Sequence, residues 1–567
     1  MPAWLFACLR DYRAAWLRGD VVAGLTVWAV LIPESLAYAS IAGVSPVVGL
    51  YAAVPALLLY PVFGSSRHLV VGPMSATAAL SAGVVGGFVS AGSEDFVAYT
   101  AGLTIAVGVV AAVAGVLRLG FLASFISEPV LKGFIVGMAL VIIMGQLPKL
   151  LGVEAGEGDF FEKLWSLVTE LPDVHAWTAL MGVICLVTVL VLKRIAPLVP
   201  GSLVAVVLGI LAVVVLDLDD RGVAIVGTIE SGLPSVGLPA VAAGDVALLI
   251  SGAAGVMLVG FAEGLGAAKT YAQKHGYRID PNRELVGLGA ANLGSGLASG
   301  MVVNGSLSKT AVNGSAGARS QVSGYVVALL TIVTLLFFTG LFESLPEPAL
   351  AAVVIAVVIE LVDIPALRRL YRVSTARLES IYGRATRVDF ICALGTMLGV
   401  LVFDTLPGLV IGIVLSVLLL LYRASRPHIA VLGEAPGSPG QWADLERHPQ
   451  NRVLSGVVVA RVESGLFFAN ADTVGDRLRE LGGADGVRTL VLDATTTPMI
   501  DTTAADMLRR CAQELDALGV ELFLVGDVGQ VRDVLRETGA GAVLKAVFPT
   551  IDTATRAAGG AHRGLDE

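Results

Sequence analysis

The chain has 567 residues, of which 55% are hydrophobic and 15% charged, and its mean hydropathy is +0.81. Ordinary soluble proteins have about 25% charged residues, so this composition excludes a typical soluble protein. The net charge is −9 and no basic patch carries interleaved aromatics, which argues against a nucleic-acid partner. The four scattered cysteines predict neither a disulfide framework nor a metal cluster, and we expect no cofactor.

Apolar segments of about 20 residues, the length that crosses a hydrocarbon core, recur from Val21 to Leu421. The segments predict a polytopic α-helical membrane protein with fourteen spans. The predicted spans are 21–43, 46–63, 74–90, 97–117, 127–146, 176–193, 199–216, 246–267, 284–299, 306–315, 321–340, 347–361, 388–404 and 406–422. The first twenty residues mix aromatic residues and leucines with arginines, which is typical of an amphipathic segment at the membrane interface and not of a cleavable signal peptide.

The charges of the loops predict how the chain is oriented in the membrane. An even number of spans places both termini on one side, and most loop cations fall on that side, including the dense run from Arg368 to Arg387. The positive-inside rule then places both termini in the cytoplasm. We therefore expect a multi-pass protein of the inner (plasma) membrane.

Two pairs of similar segments indicate an internal repeat. Residues 70–75 and 302–306 each run from β-branched residues through Gly or Pro into a helical stretch, and they begin 232 residues apart. Residues 33–37 resemble residues 262–266, at an offset of 229. The offsets predict two inverted halves of seven spans with broken helices in spans three and ten, an arrangement that marks the substrate site of secondary transporters. The alternative is chance similarity in a sequence rich in Gly, Ala and Val.

The broken helices predict an anion site. A helix that begins inside the membrane exposes unpaired backbone N–H groups and the positive end of its dipole, and two such starts that face each other would hold an anion. Ser75, Ser306 and Ser308 could add hydroxyl donors. Small residues of this kind also pack membrane helices together, which is the alternative interpretation.

Three ionisable residues lie inside predicted spans. Lys309, one turn into span ten, either attracts the anion or pairs with an acidic neighbour. Glu263 lies deep in span eight, where burial disfavours the charged form of a carboxylate, and it is the predicted proton carrier. A salt bridge of Glu263 with Lys309, or a sodium site, is the alternative. Glu34 follows Pro33 and either positions the substrate, carries a proton, or is neutral and hydrogen-bonded.

These segments resemble the SulP family of sulfate permeases and related anion transporters. The matching motifs are residues 19–26, 32–39, 49–51, 64–67, 72–73 and 306–312. The resemblance implies a seven-plus-seven inverted fold, a core domain that moves against a gate domain, a homodimer, and cation coupling through Glu263. It also implies an anion held near Met74, Ser75 and Ser308, with Glu34 and Tyr38 contributed by span one. The predicted substrate site comprises Glu34, Tyr38, Pro73, Met74, Ser75, Asn304, Gly305, Ser306, Ser308 and Lys309.

The chain departs from the family pattern at two positions. The family commonly has Gln where Glu34 stands and Arg where Lys309 stands, so a simple sulfate specificity is in doubt. Sodium-coupled bicarbonate carriers of the family tend to have Asp on span eight and a hydroxyl residue one turn later. Ala267 stands at that second position and offers no such ligand, which favours proton coupling.

Residues 1–424 form the predicted transport domain, and residues 425–567 form a predicted cytoplasmic α/β domain with a flexible tail. Strands at 454–462, 489–493 and 520–525 alternate with helices near 471–482, 503–518 and 528–538. The domain resembles the STAS domain, and residues 499–505 match the loop that opens its key helix. Thr502 stands where a related domain carries a phosphorylated Ser, so Asp501 and Thr502 are possible regulatory residues; a plain N-cap is the alternative.

The sequence thus predicts a secondary active transporter of small anions, either a sulfate-type oxyanion or a dicarboxylate, that is coupled to protons. We expect no enzymatic activity. The alternatives are sodium-coupled bicarbonate uptake, an uncoupled anion channel, and a membrane sensor that signals through its cytoplasmic domain.

Overall fold

The structure is a computed structural model that describes residues 5–9, 12–90, 93–121, 127–156, 158–196, 199–227, 232–359, 362–372, 388–403, 405–526, 529–544 and 546–563. The chain forms two compact units. One comprises Met1–Leu370 with Asp389–Val414, and the other comprises Tyr371–Val388 with Leu415–Glu567. The predicted boundary between residues 424 and 425 falls at the end of the last apolar helix.

The first unit is helical, apart from two short strands. Its elements, with the last helix running on into the second unit, are α1 (Leu17–Ile41), α2 (Pro46–Phe63), β1 (Val70–Pro73), α3 (Ser75–Gly86), α4 (Glu94–Val116), α5 (Glu128–Leu151), α6 (Phe160–Glu170), α7 (Ala176–Ile195), α8 (Gly201–Leu216), α9 (Val246–His275), α10 (Pro281–Leu297), β2 (Val303–Ser306), α11 (Leu307–Ser315), α12 (Val322–Phe337), α13 (Glu347–Val358), α14 (Ile364–Arg372), α15 (Val388–Phe403) and α16 (Thr405–Ser425). A helix lies at each of the fourteen positions where the sequence predicts a span.

The lengths of these helices differ widely. In the described part of the chain, seven helices are long and apolar enough to cross a membrane, and five further apolar helices have 10–17 residues. The count of fourteen membrane crossings therefore stays a prediction. Part of the cation run used for the orientation, including Arg377, Arg384 and Arg387, lies outside the described residues.

The helices pack closely through small residues. A Cβ atom added at Gly289 on α10 would lie 2.9 Å from the carbonyl oxygen of Gly108 on α4, and one at Gly133 on α5 would meet the carbonyl of Ala393 on α15. Only glycine permits backbones to approach to this degree, which is how membrane helices gain contact without a hydrophobic driving force between them.

The two short strands form an antiparallel ladder in the middle of the helical unit. Val70 pairs with Ser306 and Pro73 with Val303. Side chains of neighbouring helices satisfy the outer backbone groups: Asn292 exchanges hydrogen bonds of 2.9 and 3.0 Å with Val303, and the Gln321 amide donates to the carbonyl of Leu69 at 2.8 Å. Irregular backbone inside a membrane protein needs such partners, because lipid offers none.

The second unit contains a six-stranded sheet in the order β4-β3-β5-β6-β7-β8. Its elements are β3 (Ile429–Glu434), β4 (Trp442–Asp444), β5 (Val457–Val462), α17 (Ala471–Gly482), β6 (Thr489–Asp493), α18 (Thr502–Ala517), β7 (Glu521–Val525), α19 (Gly529–Glu537), β8 (Ala546–Phe548) and α20 (Ile551–Arg563). Strands β5 to β8 are parallel. Helices α17, α18 and α19 pack on one face of the sheet and α20 on the other, which confirms the predicted α/β fold.

Candidate functional site

Each strand of the ladder leads directly into a short helix. The residue before α3 is Met74, whose backbone is extended (φ −138°, ψ 149°) and whose side chain caps no amide within the described residues. The residue before α11 is Ser306, whose hydroxyl accepts a hydrogen bond from the amide of Lys309 at 3.3 Å. Because the strands are antiparallel, the two helices leave the ladder from opposite ends. That the two helix starts hold one anion between them stays a prediction.

The side chain of Lys309 connects the two ends of the ladder. Its ammonium lies 3.1 Å from the carbonyl oxygen of Pro73, next to the start of α3, although Lys309 itself belongs to α11. It also lies 2.8 Å from a carboxylate oxygen of Glu34 and 4.9 Å from the centre of the Tyr38 ring. Lys309 is only 1% exposed. Of the two alternatives that the sequence leaves for Lys309, the structure shows a pair with an acidic neighbour, and the neighbour is Glu34.

Helix α1 carries the two side-chain partners of Lys309. Glu34 and Tyr38 are four residues apart, so they lie on one face of the helix. Both are buried, at 4% and 3% exposure. The structure thus brings together Glu34, Tyr38, Pro73 and Lys309, which the sequence assigns to the predicted substrate site.

The other predicted site residues have different surroundings. The Ser306 hydroxyl lies 3.1 Å from that of Ser308, which is exposed, whereas Ser75 is buried at the first position of α3. Asn304 turns toward α9, where its amide donates to the carbonyl of Gly260. Gly305 also faces α9, because a Cβ there would lie 3.1 Å from the Cα of Gly264. Asn304 and Gly305 therefore hold the ladder against α9.

Glu263, on α9, has an incomplete environment. One of its carboxylate oxygens is buried and has no hydrogen-bond partner among the described residues. The ion pair that Lys309 makes in the described structure is with Glu34. Ala267, one turn further along α9, is buried and offers no side-chain oxygen.

Comparison with known proteins identifies this architecture. The model of the sulfate permease family matches residues 17–381, and that of the STAS domain matches residues 448–554. The chain belongs to the sulfate permease family. It is 36% identical to "Probable sulfate transporter MT1781" of Mycobacterium tuberculosis over 97% of this chain and 96% of that protein. It is 31% identical to "Probable sulfate transporter 4.2" of Arabidopsis thaliana, over 94% of this chain and 80% of that protein.

Solved structures share the fold of this sulfate permease family member. The murine Slc26a9 anion transporter, solved in the inward-facing state, matches with a TM-score of 0.86 at 21% identity, over 98% of this chain and 94% of that one. The transmembrane domain of the cyanobacterial bicarbonate transporter BicA matches with a TM-score of 0.59 at 23% identity, over 72% of this chain and 98% of that domain. These comparisons confirm the predicted membrane fold and the C-terminal STAS domain.

The two departures from the sulfate permease pattern are in contact with each other. The resemblance implies Gln at the position of Glu34 and Arg at that of Lys309, and in this chain the two residues form a buried ion pair. A Gln–Arg pair carries one positive charge, whereas an ionised Glu–Lys pair carries none. The pair in this family member is therefore one unit of charge more negative.

Sequence reasoning missed the polar residues that hold the ladder in place. Thr310 accepts a hydrogen bond from the amide of Val70 at 3.0 Å, and Asn292 and Gln321 bind other ladder groups. The sequence contained a signal for Asn292 and Gln321, because Asn292 lies inside predicted span nine and Gln321 begins predicted span eleven. Polar residues in membrane helices usually have a partner within the protein.

In the STAS domain, Asp501 forms the N-cap of α18. One of its carboxylate oxygens accepts from the amide of Ala504 and the other from the amide of Phe468, both at 2.8 Å. Thr502 is the first helical residue and is exposed. The structure thus shows the capping role for Asp501.

Proposed function

We propose that this chain is a secondary active transporter of small anions, of the sulfate or dicarboxylate type, that takes up a proton with its substrate and works by alternating access. The observation that carries this proposal is the position of the Lys309 ammonium, which lies beside Glu34 and against the start of α3.

The anion would bind at the start of α3. The first amides of a helix lack partners within the helix, and the helix dipole adds a partial positive charge there. Met74 supplies no cap within the described residues, so these amides are available to a ligand. Lys309 and the hydroxyl of Ser75 would add a cation and a donor. Sulfate and carboxylate groups both accept several such hydrogen bonds.

The charge of the site supports coupling to a proton. With Glu34 and Lys309 paired, an entering anion adds a negative charge that nothing in the pair compensates. A proton on a nearby carboxyl group would remove that excess. We assign the proton to Glu263, because one of its oxygens is buried without a hydrogen-bond partner and, unlike Glu34, it forms no ion pair in the described structure. Glu34 is the second candidate, because its protonation would free Lys309 for the anion.

The test is uptake of radiolabelled sulfate into proteoliposomes. We expect a gradient that is acidic outside to drive accumulation at zero membrane potential and zero sodium, with saturation as sulfate rises. We also expect excess fumarate or succinate to compete. Uptake driven by a sodium gradient, with bicarbonate as the best competitor, would instead support sodium-coupled bicarbonate transport. A voltage-driven flux that does not saturate would support a channel.

We also propose that both termini and the STAS domain are cytoplasmic, that the chain crosses the plasma membrane fourteen times, and that it forms a homodimer. The loop charges support the orientation, and the family resemblance supports the dimer. Labelling of single cysteines introduced into the loops, with a membrane-impermeant reagent, would test the orientation. Cross-linking in native membranes would test the dimer.

A further inference from the structure

A cavity lies on the side of α1 away from Glu34, and its lining differs in character from the ion-pair site. Its volume is about 420 Å³, and it is formed by α1, α8, and the end of α12 with the residues that follow it. Trp28, Ile32, Val206, Leu211, Thr334 and Phe338 are among its lining residues.

The cavity offers nothing to a polar ligand. Among its described lining residues, the polar side-chain groups are the indole N–H of Trp28 and the hydroxyl of Thr334, and these two are hydrogen-bonded to each other at 3.2 Å. The Thr334 hydroxyl in turn donates to the carbonyl of Leu330. A buried water needs two to four polar partners, and an anion or a metal ion needs more. The lining therefore suits a hydrocarbon ligand.

Several of the apolar side chains that line the cavity are not covered by the protein itself. Val207, Leu211, Phe338 and Leu341 are 45%, 53%, 46% and 61% exposed. In a protein embedded in a bilayer, exposed apolar faces of membrane helices contact the lipid chains. The cavity is therefore continuous with the hydrocarbon region of the bilayer.

We propose that this cavity binds one acyl chain of a membrane phospholipid, inserted between α1 and α8. Its volume lies within the range of about 300–1,000 Å³ that is typical of small-molecule sites. Dispersion contacts, which an empty cavity lacks, drive the binding. The hydrophobic effect contributes little, because lipid and protein hydrocarbon are equally apolar. An acyl chain restores those contacts and leaves its headgroup at the membrane surface.

The acyl chain would lie against the face of α1 that points away from Glu34. Ile32 lines the cavity and Glu34 pairs with Lys309, and two residues correspond to about 200° around a helix. The bilayer thus gains a direct contact with the face of α1 opposite Glu34. The binding site does not depend on the proposed transport function.

Trp28 provides a probe for this proposal. A variant that keeps Trp28, with the other five tryptophans replaced by Phe, is reconstituted into phosphatidylcholine vesicles with brominated acyl chains. We expect strong quenching of its fluorescence. Ala29→Phe, which places an aromatic ring in the cavity, should abolish most of that quenching. The matched control is Val214→Phe, at a 59% exposed position on α8 that does not line the cavity. The fluorescence of Trp28 in this control should be quenched as strongly as in the parent.

Native mass spectrometry supplies a readout that does not depend on the local environment of Trp28. We expect the parent chain and Val214→Phe to retain one phospholipid per chain after extraction into detergent, and Ala29→Phe to lose it. Equal quenching and equal lipid retention in Ala29→Phe and Val214→Phe would overturn the proposal, as would the absence of any retained phospholipid in the parent.

Discussion

The two strand–helix elements of the ladder differ in chemistry although they occupy equivalent positions in the predicted repeat. At the start of α11, the Ser306 hydroxyl already accepts a hydrogen bond from a first-turn amide, and the same turn carries Lys309. At the start of α3, Met74 offers no cap within the described residues, and the ammonium of Lys309 reaches across the ladder to it. We therefore expect one element to supply the cation to the anion site and the other to supply the amides.

This difference indicates an asymmetric site. A symmetric pair of helix starts would share an anion equally, but here the amides and the ammonium converge on the start of α3. The Ser306 hydroxyl already accepts from one amide in the first turn of α11, so we expect this turn to position Lys309 and not to hold the anion itself. The predictions below test this division between the two elements.

Removal of Lys309 should have the largest effect. Lys309→Ala deletes the cation at the start of α3 and leaves Glu34 buried without its partner, which typically costs about 3–5 kcal/mol of stability. A lost charged hydrogen bond of roughly 3 kcal/mol corresponds to roughly 100-fold weaker anion binding. Isothermal titration with sulfate and thermal unfolding of the purified protein would measure the two effects.

A double variant separates stability from binding. Glu34→Gln together with Lys309→Ala removes both charges, so we expect stability to recover while anion binding stays weak. Glu34→Gln with Lys309→Arg introduces the pair that the family resemblance implies and should retain binding. Anion affinity in Lys309→Ala equal to that of the parent would contradict the assignment of the cation to the start of α3.

Glu263→Gln should have the next largest effect. We expect it to change the coupling of transport to the proton gradient and not the binding of the anion. If one proton accompanies each anion, a gradient of one pH unit supplies about 1.4 kcal/mol, or about tenfold accumulation. We expect this accumulation to disappear in Glu263→Gln while exchange of internal for external sulfate continues. If Glu34→Gln abolishes the accumulation and Glu263→Gln preserves it, the proton belongs to Glu34.

The sequence predicts the helices well because apolar length is a local property. The segments that escaped prediction are short or amphipathic, and they include α6, α14, α20, β3, β4 and β8. Helix α6 is short and amphipathic, and β4 and β8 have only three residues each. Three residues are too few to show the alternation that marks a strand. The start of α11 is predicted within one residue, because a glycine precedes it.

The site was predictable as a set of residues but not as a set of contacts. Glu34 and Glu263 are both intramembrane carboxylates, and nothing in their local sequence decides which one pairs with Lys309. That choice depends on how α1 and α9 pack against the ladder, which is a long-range property. Likewise, Asn304 is placed correctly on the strand, but its turn toward Gly260 follows from the close approach of α9.

Two serine variants sharpen the comparison at a smaller scale. Ser306→Ala removes the cap of α11, which typically costs about 1 kcal/mol of stability. Ser75→Ala removes a hydroxyl donor at the start of α3, and should weaken anion binding by about 0.5–1.5 kcal/mol. We expect Ser306→Ala to lower the Tm with little change in affinity, and Ser75→Ala to do the reverse. Equal loss of affinity in both variants would indicate that the two elements share the anion.

The capped start of α18 in the STAS domain provides the smallest and most local test. Asp501 accepts from the amides of Ala504 and Phe468, so Asp501→Ala should cost about 1 kcal/mol, as at other helix caps. Hydrogen exchange of these two amides in the full chain should speed up, whereas Thr502→Ala should leave both unchanged because Thr502 is exposed. Anion uptake should stay the same in Asp501→Ala if the cap is purely structural. A change in uptake without a change in exchange would instead assign this helix start a regulatory role and make it functionally comparable to the start of α3.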